Sequence, residues 1–260
     1  MTGIADHNSN GIMGQTSTTK DSLKILSANV RGFRTNVGEL THSFVLKFKP
    51  DIIATVETFL NASVPHNFAK IRGYSAWSRK DRVGSSYGGI AVCFRDNLAV
   101  QELSVETPSE LEMMFFKVCN PISGPILLCV CYRPQWQGSR PIAFLQENLD
   151  LLLMEHSCRN IIIVGDLNQH LVADAFNTML TTHGIVNHVN FATHITGSSL
   201  DPVITDFPSS DILCQQLGAV GSSDHYAVLS TIKLRGSYEE VKCRNLWQWE
   251  KVSGILYVKY

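Results

Sequence analysis

Asp166 and Asn168 stand two residues apart where the run Ile161-Ile162-Ile163-Val164-Gly165 ends, and Gln169-His170 follow at once. Four β-branched apolar residues in a row are too few for a helix and suit a fully buried strand. Such a strand delivers a carboxylate, an amide and an imidazole to its mouth. If the extended backbone persists, Asp166 and Asn168 project the same way, so that an acceptor and a donor/acceptor converge on one small target, such as a water to be deprotonated and held. Gly, Asp and Asn are equally the residues of an ordinary turn, and the motif alone leaves both readings open.

Five further apolar stretches end in chemistry-bearing residues. Residues 23–29 (LKILSAN) end at Asn29 ahead of Val30-Arg31-Gly32, residues 51–57 (DIIATVE) at Glu57, and residues 126–132 at Tyr132, with Arg133-Pro134 behind it. Leu200 leads to Asp201, and Ser222-Ser223-Asp224-His225 feed the strand predicted over 226–234. Gathered at one edge of a β-sandwich, these ends would line a cleft with carboxylates, amides, a phenol and an imidazole. Glu57 and Asp224 are hard oxygen ligands suited to Mg²⁺, with Mn²⁺ as the other candidate, and no thiolate or multi-histidine set competes for zinc. Asp166 could then act as base toward a water positioned by Asn168, while the metal polarises a phosphoryl oxygen. His225 needs a carboxylate to fix its tautomer, and Asp201 is the candidate. Taken singly, each has a structural reading: Glu57 as an edge carboxylate, Tyr132 as core, His225 as a satisfied buried histidine.

The elements that would position these residues follow from periodicity. Asn36 and Glu39 resemble a capping box, after which Val37, Leu40, Phe44, Val45 and Phe48 share one helical face until Pro50 stops the helix. A second helix starts near Gly138 or Ser139 with Pro141, turning Ile142, Leu145, Leu149, Leu152 and Leu153 inward. A third is expected near 171–182, ended by Gly184. Strands are also expected over 90–94 and 111–118. With few helices, no regular βαβ repeat and no internal repeat, the expected fold is α/β: a sandwich of two mixed β-sheets face to face with helices outside. Between 70 and 82 the chain collects Lys70, Arg72, Arg79, Lys80 and Arg82 around Tyr74 and Trp77. Arg79, Lys80 and Arg82 could grip a phosphate backbone, or the run is a hairpin edge protected by charge.

The 260 residues are 44% hydrophobic and 17% charged, the balance of a globular α/β domain. With 22 basic against 23 acidic residues, no global field draws the chain to a polyanion, which must be held locally. Residues 1–22 are rich in Ser, Thr, Asn and Gly and read as disordered. The catalytic domain is expected over 23–234 and a tail or linker over 235–260. The seven cysteines are odd in number and scattered through apolar runs, as buried thiols of an intracellular protein are. No membrane span or signal sequence is legible.

Asn29 in NVRG, Glu57 in VET, Tyr132 in YRP, Asp166 and Asn168 in GDLN, and Ser223-Asp224-His225 in SDH together resemble the endonuclease/exonuclease/phosphatase superfamily over residues 23–234. Ala192-Thr193-His194, the segment 199–205 (SLDPVIT) and the SRKDRVGSSYGGIAV run look like the apurinic-type endonuclease domain of LINE-type (non-LTR) retrotransposons. The resemblance implies a four-layered αββα sandwich and a Mg²⁺-dependent DNA phosphodiesterase that nicks its target to leave a 3′-hydroxyl primer. It further implies Glu57 as principal metal ligand with Asn29 and Asp224 near it, Asp166 activating water oriented by Asn168, and Tyr132, Thr193, Ser223 and His225 at the phosphate with Asp201 supporting His225. The implied partners are DNA and, in a longer protein, a reverse transcriptase domain or element RNA, with nuclear access needed for chromosomal targets. Departures are plain. Arg31 stands where abasic-site endonucleases have an aspartate, Leu167 replaces a frequent Phe, Gln169-His170 replace paired histidines, and Pro202 follows Asp201. The alternatives are abasic-site repair, RNA deadenylation, a small-molecule phosphatase, or a decayed copy that only binds nucleic acid.

Overall fold

In the computed structural model, residues 21–236 are described, with a short backbone ladder between Asn245–Leu246 and Leu256–Tyr257. Residues 1–20 of the expected disordered lead-in and most of the expected tail lie outside the described residues, while Ser22, placed in that lead-in, opens the first strand and Asp21 O accepts from Leu234 N. The alternating and continuous apolar runs become strands: β1 (Ser22–Asn29), β2 (Ile52–Val56), β3 (Ser78–Lys80), β4 (Ile90–Phe94), β5 (Ala99–Leu103), β6 (Glu112–Asn120), β7 (Gly124–Tyr132), β8 (Asn160–Asp166), β9 (Val186–Asn187), β10 (Val203–Thr205), β11 (Ile212–Ala219) and β12 (Tyr226–Lys233). They form two six-stranded sheets, ordered β11-β12-β1-β2-β4-β3 and β5-β6-β7-β8-β10-β9.

Because side chains alternate across a strand, each central strand serves two cores. Ile25, Val56, Val92, Phe116, Val130 and Val164 meet between the sheets. Leu26 and Ile53 face outward under α1 (Phe33–Glu39), which runs through a π-helical stretch, Leu40–Val45, into α2 (Leu46–Phe48). On the other side Ile161 and Ile163 pack beneath α3 (Arg140–Glu155) and α4 (Ala173–His183), through Ile142, Leu145, Leu149, Phe176 and Met179. The result is the expected α/β sandwich of two mixed sheets with outer helices. Among the described residues no helix is long and apolar enough to cross a membrane.

Three details depart from the sequence reading. The first helix starts at Phe33, before the expected capping box, and the Asn36 side chain instead donates to Val30 O at 2.8 Å, anchoring the helix to the exit of β1. Strands β5 and β11 were not foreseen; both lie at sheet edges, where polar residues break the apolar pattern. The absence of a repeat holds for sequence and fails for topology. Read from β11 and from β5, each sheet pairs antiparallel, antiparallel, parallel, antiparallel, antiparallel. At the centre of each lies a parallel pair, β1/β2 or β7/β8, joined by a helical crossover. The carboxyl ends of those four strands are Asn29, Val56 with Glu57 behind it, Tyr132 and Asp166.

Gly165 sets the last step of β8. It has φ +131, and a Cβ there would lie 1.9 Å from the carbonyl oxygen of Cys131, its partner on β7. Gly165→Ala should therefore lower the free energy of unfolding by about 3 kcal/mol or more, through strain and displacement of the neighbouring strand. Urea unfolding measures it; an unchanged midpoint would show that the strand end yields freely.

Candidate active site

Polar groups at the carboxyl ends of the parallel pairs bond across the gap between sheets. Asn29 Nδ2, from β1, donates to Asp166 Oδ2, from β8, at 3.0 Å. Tyr132 Oη, from β7, donates to Glu57 Oε1, beyond β2, at 2.6 Å. Burial, followed by the charge of Glu57 and this hydrogen bond, raises the Tyr132 phenol, so it remains a donor. Glu57 has φ +52, and Arg31, Phe59 and Asn168 also take left-handed backbone. The Glu57 turn is held by hydrogen bonds from Gly32 N to Glu57 O at 2.8 Å and from Thr58 N to Gly89 O at 3.3 Å. Strained non-glycine backbone persists only where its surroundings over-determine it.

The third cross-sheet link joins the segments ahead of β10 and β12. His225 Nδ1 lies 2.8 Å from Asp201 Oδ2, and His225 Nε2 faces Asp166 Oδ2 at 3.9 Å. Burial opposes a charge on His225, but the hydrogen bond and charge of Asp201, with Asp166 and Asp224 beyond, outweigh it and lift the imidazole to about 9. Burial, reinforced by the charge of Asp201, also holds the Asp166 carboxyl well above the ordinary range, against His225 and the Asn29 hydrogen bond. Asp224 goes the other way. Its partial burial is outweighed by its backbone hydrogen bond and by Arg31, His225 and His194, which lower its carboxyl.

The shared direction expected of Asp166 and Asn168 gives way to a turn. Asn168 leaves the strand with φ +45, a conformation asparagine tolerates, and its side chain donates to Arg133 O at 3.1 Å while its own N–H reaches Asp166 Oδ1 at 3.2 Å. The fixture for this turn, unsuspected from sequence, is Arg133. Its guanidinium is 0% exposed and donates to the carbonyls of Leu167, Asn168 (2.6 Å) and Gly138 (3.0 Å). Its position directly after Tyr132, inside YRP, was the available signal.

Thr193 and Ser223, expected at the phosphate, are buried with their hydroxyls engaged in protein. Thr193 Oγ1 accepts from Leu200 N (2.8 Å) and Asp201 N (3.1 Å), setting the loop that carries Asp201. Ser223 Oγ donates to Asn29 O (2.7 Å) and accepts from His225 N (3.1 Å). The basic run is likewise turned onto protein. Arg79 binds Asp81 and the carbonyls of Val64 and Asn61, and Lys80 reaches Thr107 Oγ1 and Met113 O. Arg82 pairs with buried Glu112, whose other oxygen takes Gly89 N, and its guanidinium lies 5.5 Å from the Tyr132 ring centroid. β3 is a sheet edge, as the alternative reading had it, and Arg82, just beyond it, backs Tyr132.

Oxygen donors of the kind a hard divalent cation takes are present: the Tyr132 bond uses Oε1 of Glu57 and not Oε2, Asp224 carries a second carboxylate, and the Asn29 amide oxygen accepts from Arg31 N at 3.1 Å. His194, Asp224 and His225 converge closely enough to share an ion, as do Asp166, Asp201 and His225; the first group is a two-histidine set that the sequence reading had excluded, brought together because the His194 and His225 segments pair in a β-bridge. The six described cysteines are free thiols, four of them buried, and they lie outside these clusters.

A sequence profile of the Endonuclease/Exonuclease/phosphatase family matches residues 26–225, a span that includes every cross-sheet link above. The chain belongs to this family. No curated protein matches it in sequence. Among solved structures, the AP endonuclease LMAP of Leishmania major superposes with a TM-score of 0.69 at 16% identity, over 82% of this chain and 88% of that one. The endonuclease domain of TRAS1, a telomere-specific non-LTR retrotransposon, gives 0.64 at 16%, over 82% and 99%. The 3′ phosphatase NExo from Neisseria, bound to product DNA hairpin, gives 0.61 at 13%, over 80% and 98%. These likenesses establish the endonuclease/exonuclease/phosphatase fold, a phosphoesterase scaffold whose enzymes generally use divalent metals.

The electrostatics of His225 can be checked directly. In metal-free protein its ring should titrate near 9 by NMR, and Asp201→Asn should bring it down to the ordinary histidine range, because the burial penalty then loses its main opponent. A titration that stays near 9 in Asp201→Asn would mean that another carboxylate holds the proton.

Proposed function

We propose that the protein is a Mg²⁺- or Mn²⁺-dependent DNA endonuclease that nicks one strand to leave a 3′-hydroxyl, the primer for target-primed reverse transcription of a LINE-type retrotransposon. The observation that carries the chemistry is the meeting of Asn29, Asp166, Asp201 and His225 from two sheets beside the Tyr132–Glu57 pair. The retrotransposon assignment draws on Ala192-Thr193-His194, the SLDPVIT segment and the SRKDRVGSSYGGIAV run, and on the likeness to the TRAS1 domain. Arg31, in place of an aspartate of abasic-site enzymes, weighs against the repair reading.

Glu57, Asn29 and Asp224 would hold the cation, which supplies charge neutralisation at the phosphoryl oxygens and the leaving group. Asp166 takes the proton of the attacking water. Its buried carboxylate has raised proton affinity, and Asn29 Nδ2 and Asn168 N keep its oxygens aimed. His225, kept protonated by Asp201, presents Nε2 to a phosphoryl oxygen in the space it shares with Asp166. Water adds to phosphorus as the P–O3′ bond breaks in line; the proton of the attacking water goes to Asp166, and O3′ leaves as the hydroxyl on taking a proton from solvent water. Tyr132 fixes Glu57, and Arg133 fixes the turn of Asn168. DNA is the partner, with a reverse transcriptase domain or element RNA beside it in a longer protein and the nucleus as the place of action on chromosomal targets.

Supercoiled plasmid should be nicked by the purified protein in Mg²⁺ or Mn²⁺ and not in EDTA. Asp166→Ala and His225→Ala should each reduce the rate about 10³-fold or more, and a polymerase should extend the nick without prior end repair. Activity confined to an abasic oligonucleotide, to poly(A) or to phosphate monoesters would replace this reading with another phosphoesterase. A folded protein that cuts nothing would mark a decayed copy.

A further inference from the structure

Arg31 occupies the left-handed turn after β1, with its backbone N–H on Asn29 Oδ1 at 3.1 Å. Its guanidinium is bonded to Asp224 Oδ2, the oxygen that His194 Nε2 faces at 3.5 Å. The Arg31 side chain is 52% exposed and that of Asp224 27%, so the pair lies at the mouth of the site and the guanidinium keeps donors toward solvent. A guanidinium and a divalent cation cannot share that oxygen without repulsion. A phosphodiester, in turn, offers the guanidinium a fork-matched pair of oxygens.

We propose that Arg31 is a latch that couples DNA binding to metal binding. In the free protein it holds Asp224 and weakens the cation site; an entering DNA phosphate draws the guanidinium away and releases Asp224 as a ligand. This rests on the nuclease reading above. By linkage, the factor by which DNA tightens the metal is the factor by which the metal tightens DNA. The latch would keep the free protein poorly loaded and confine cutting competence to the DNA-bound state.

The test measures two equilibria on the full chain and on Arg31→Ala and Arg31→Lys: Mn²⁺ binding without DNA, by electron paramagnetic resonance of the free ion, and binding of a fluorescent duplex in EDTA, where no cutting occurs. Arg31→Ala should bind Mn²⁺ roughly fivefold more tightly, the loss of a half-exposed ion pair expressed as affinity. It should also bind duplex more weakly, with the salt slope reduced by about 1. Arg31→Lys, which keeps the charge without the fork, should fall between. Circular dichroism checks that each variant folds. Opposite movement of the two affinities supports the latch, since damage to the fold would weaken both. Any other pattern in the variants overturns it while leaving the nuclease reading intact, and a wild-type chain that binds neither Mn²⁺ nor DNA overturns both.

Discussion

The structure depends on keeping one carboxylate, that of Asp166, shielded from bulk water. The residue is 1% exposed and ends the central strand of one sheet, while its hydrogen-bond partner Asn29 ends the central strand of the other. An unsatisfied charge at such a point would cost several kcal/mol. The two sheets must therefore meet in one register, and the apolar layer between them supplies the force that brings them there. Asn29, Asn168 and His225 then answer the carboxylate from three separate segments. Burial raises its proton affinity, so the same environment that makes Asp166 demanding makes it a stronger base.

Around this point the chain accepts local strain. Arg31, Glu57, Phe59 and Asn168 hold left-handed backbone, and Arg133 buries a whole guanidinium against carbonyl oxygens. Such features are maintained by the rigidity of what lies behind them. Behind Tyr132 that backing is the Arg82–Glu112 pair, which joins the loop ahead of β4 to β6. Of the five basic residues of the run, Arg79, Lys80 and Arg82 are bonded to protein groups, while Lys70 and Arg72 are exposed.

Much of this was legible in the sequence because the strand ends announce themselves. LKILSAN, DIIATVE and IIIVGD each change from apolar to polar within a residue or two, and the layers follow from their alternation. Edge strands were not legible: Gln215 and Gln216 in β11 and Gln101 and Glu102 in β5 break the apolar pattern on which detection relies. Partners far apart in sequence were equally hidden. Nothing near Arg82 points to Glu112, and nothing in Thr193 says that its hydroxyl is spent on Leu200 and Asp201. The matching topology of the two sheets leaves no trace in residue identity because pairing direction is set by connections, whereas core positions accept any apolar side chain of suitable volume.

The place of β12 has a consequence for how the molecule is made. It pairs with β1 along most of its length, so a strand near the end of the domain completes one near its start, and Ser223 bonds to Asn29 across 194 residues. During synthesis β1 must wait with one ladder of N–H and C=O groups open until almost the whole domain has emerged. Contacts of such sequence separation close slowly and leave sticky edges in the meantime. A nascent chain thus carries Asn29, Glu57 and Asp166 long before it has the histidine that completes their cluster, and the site cannot be complete until that residue has emerged.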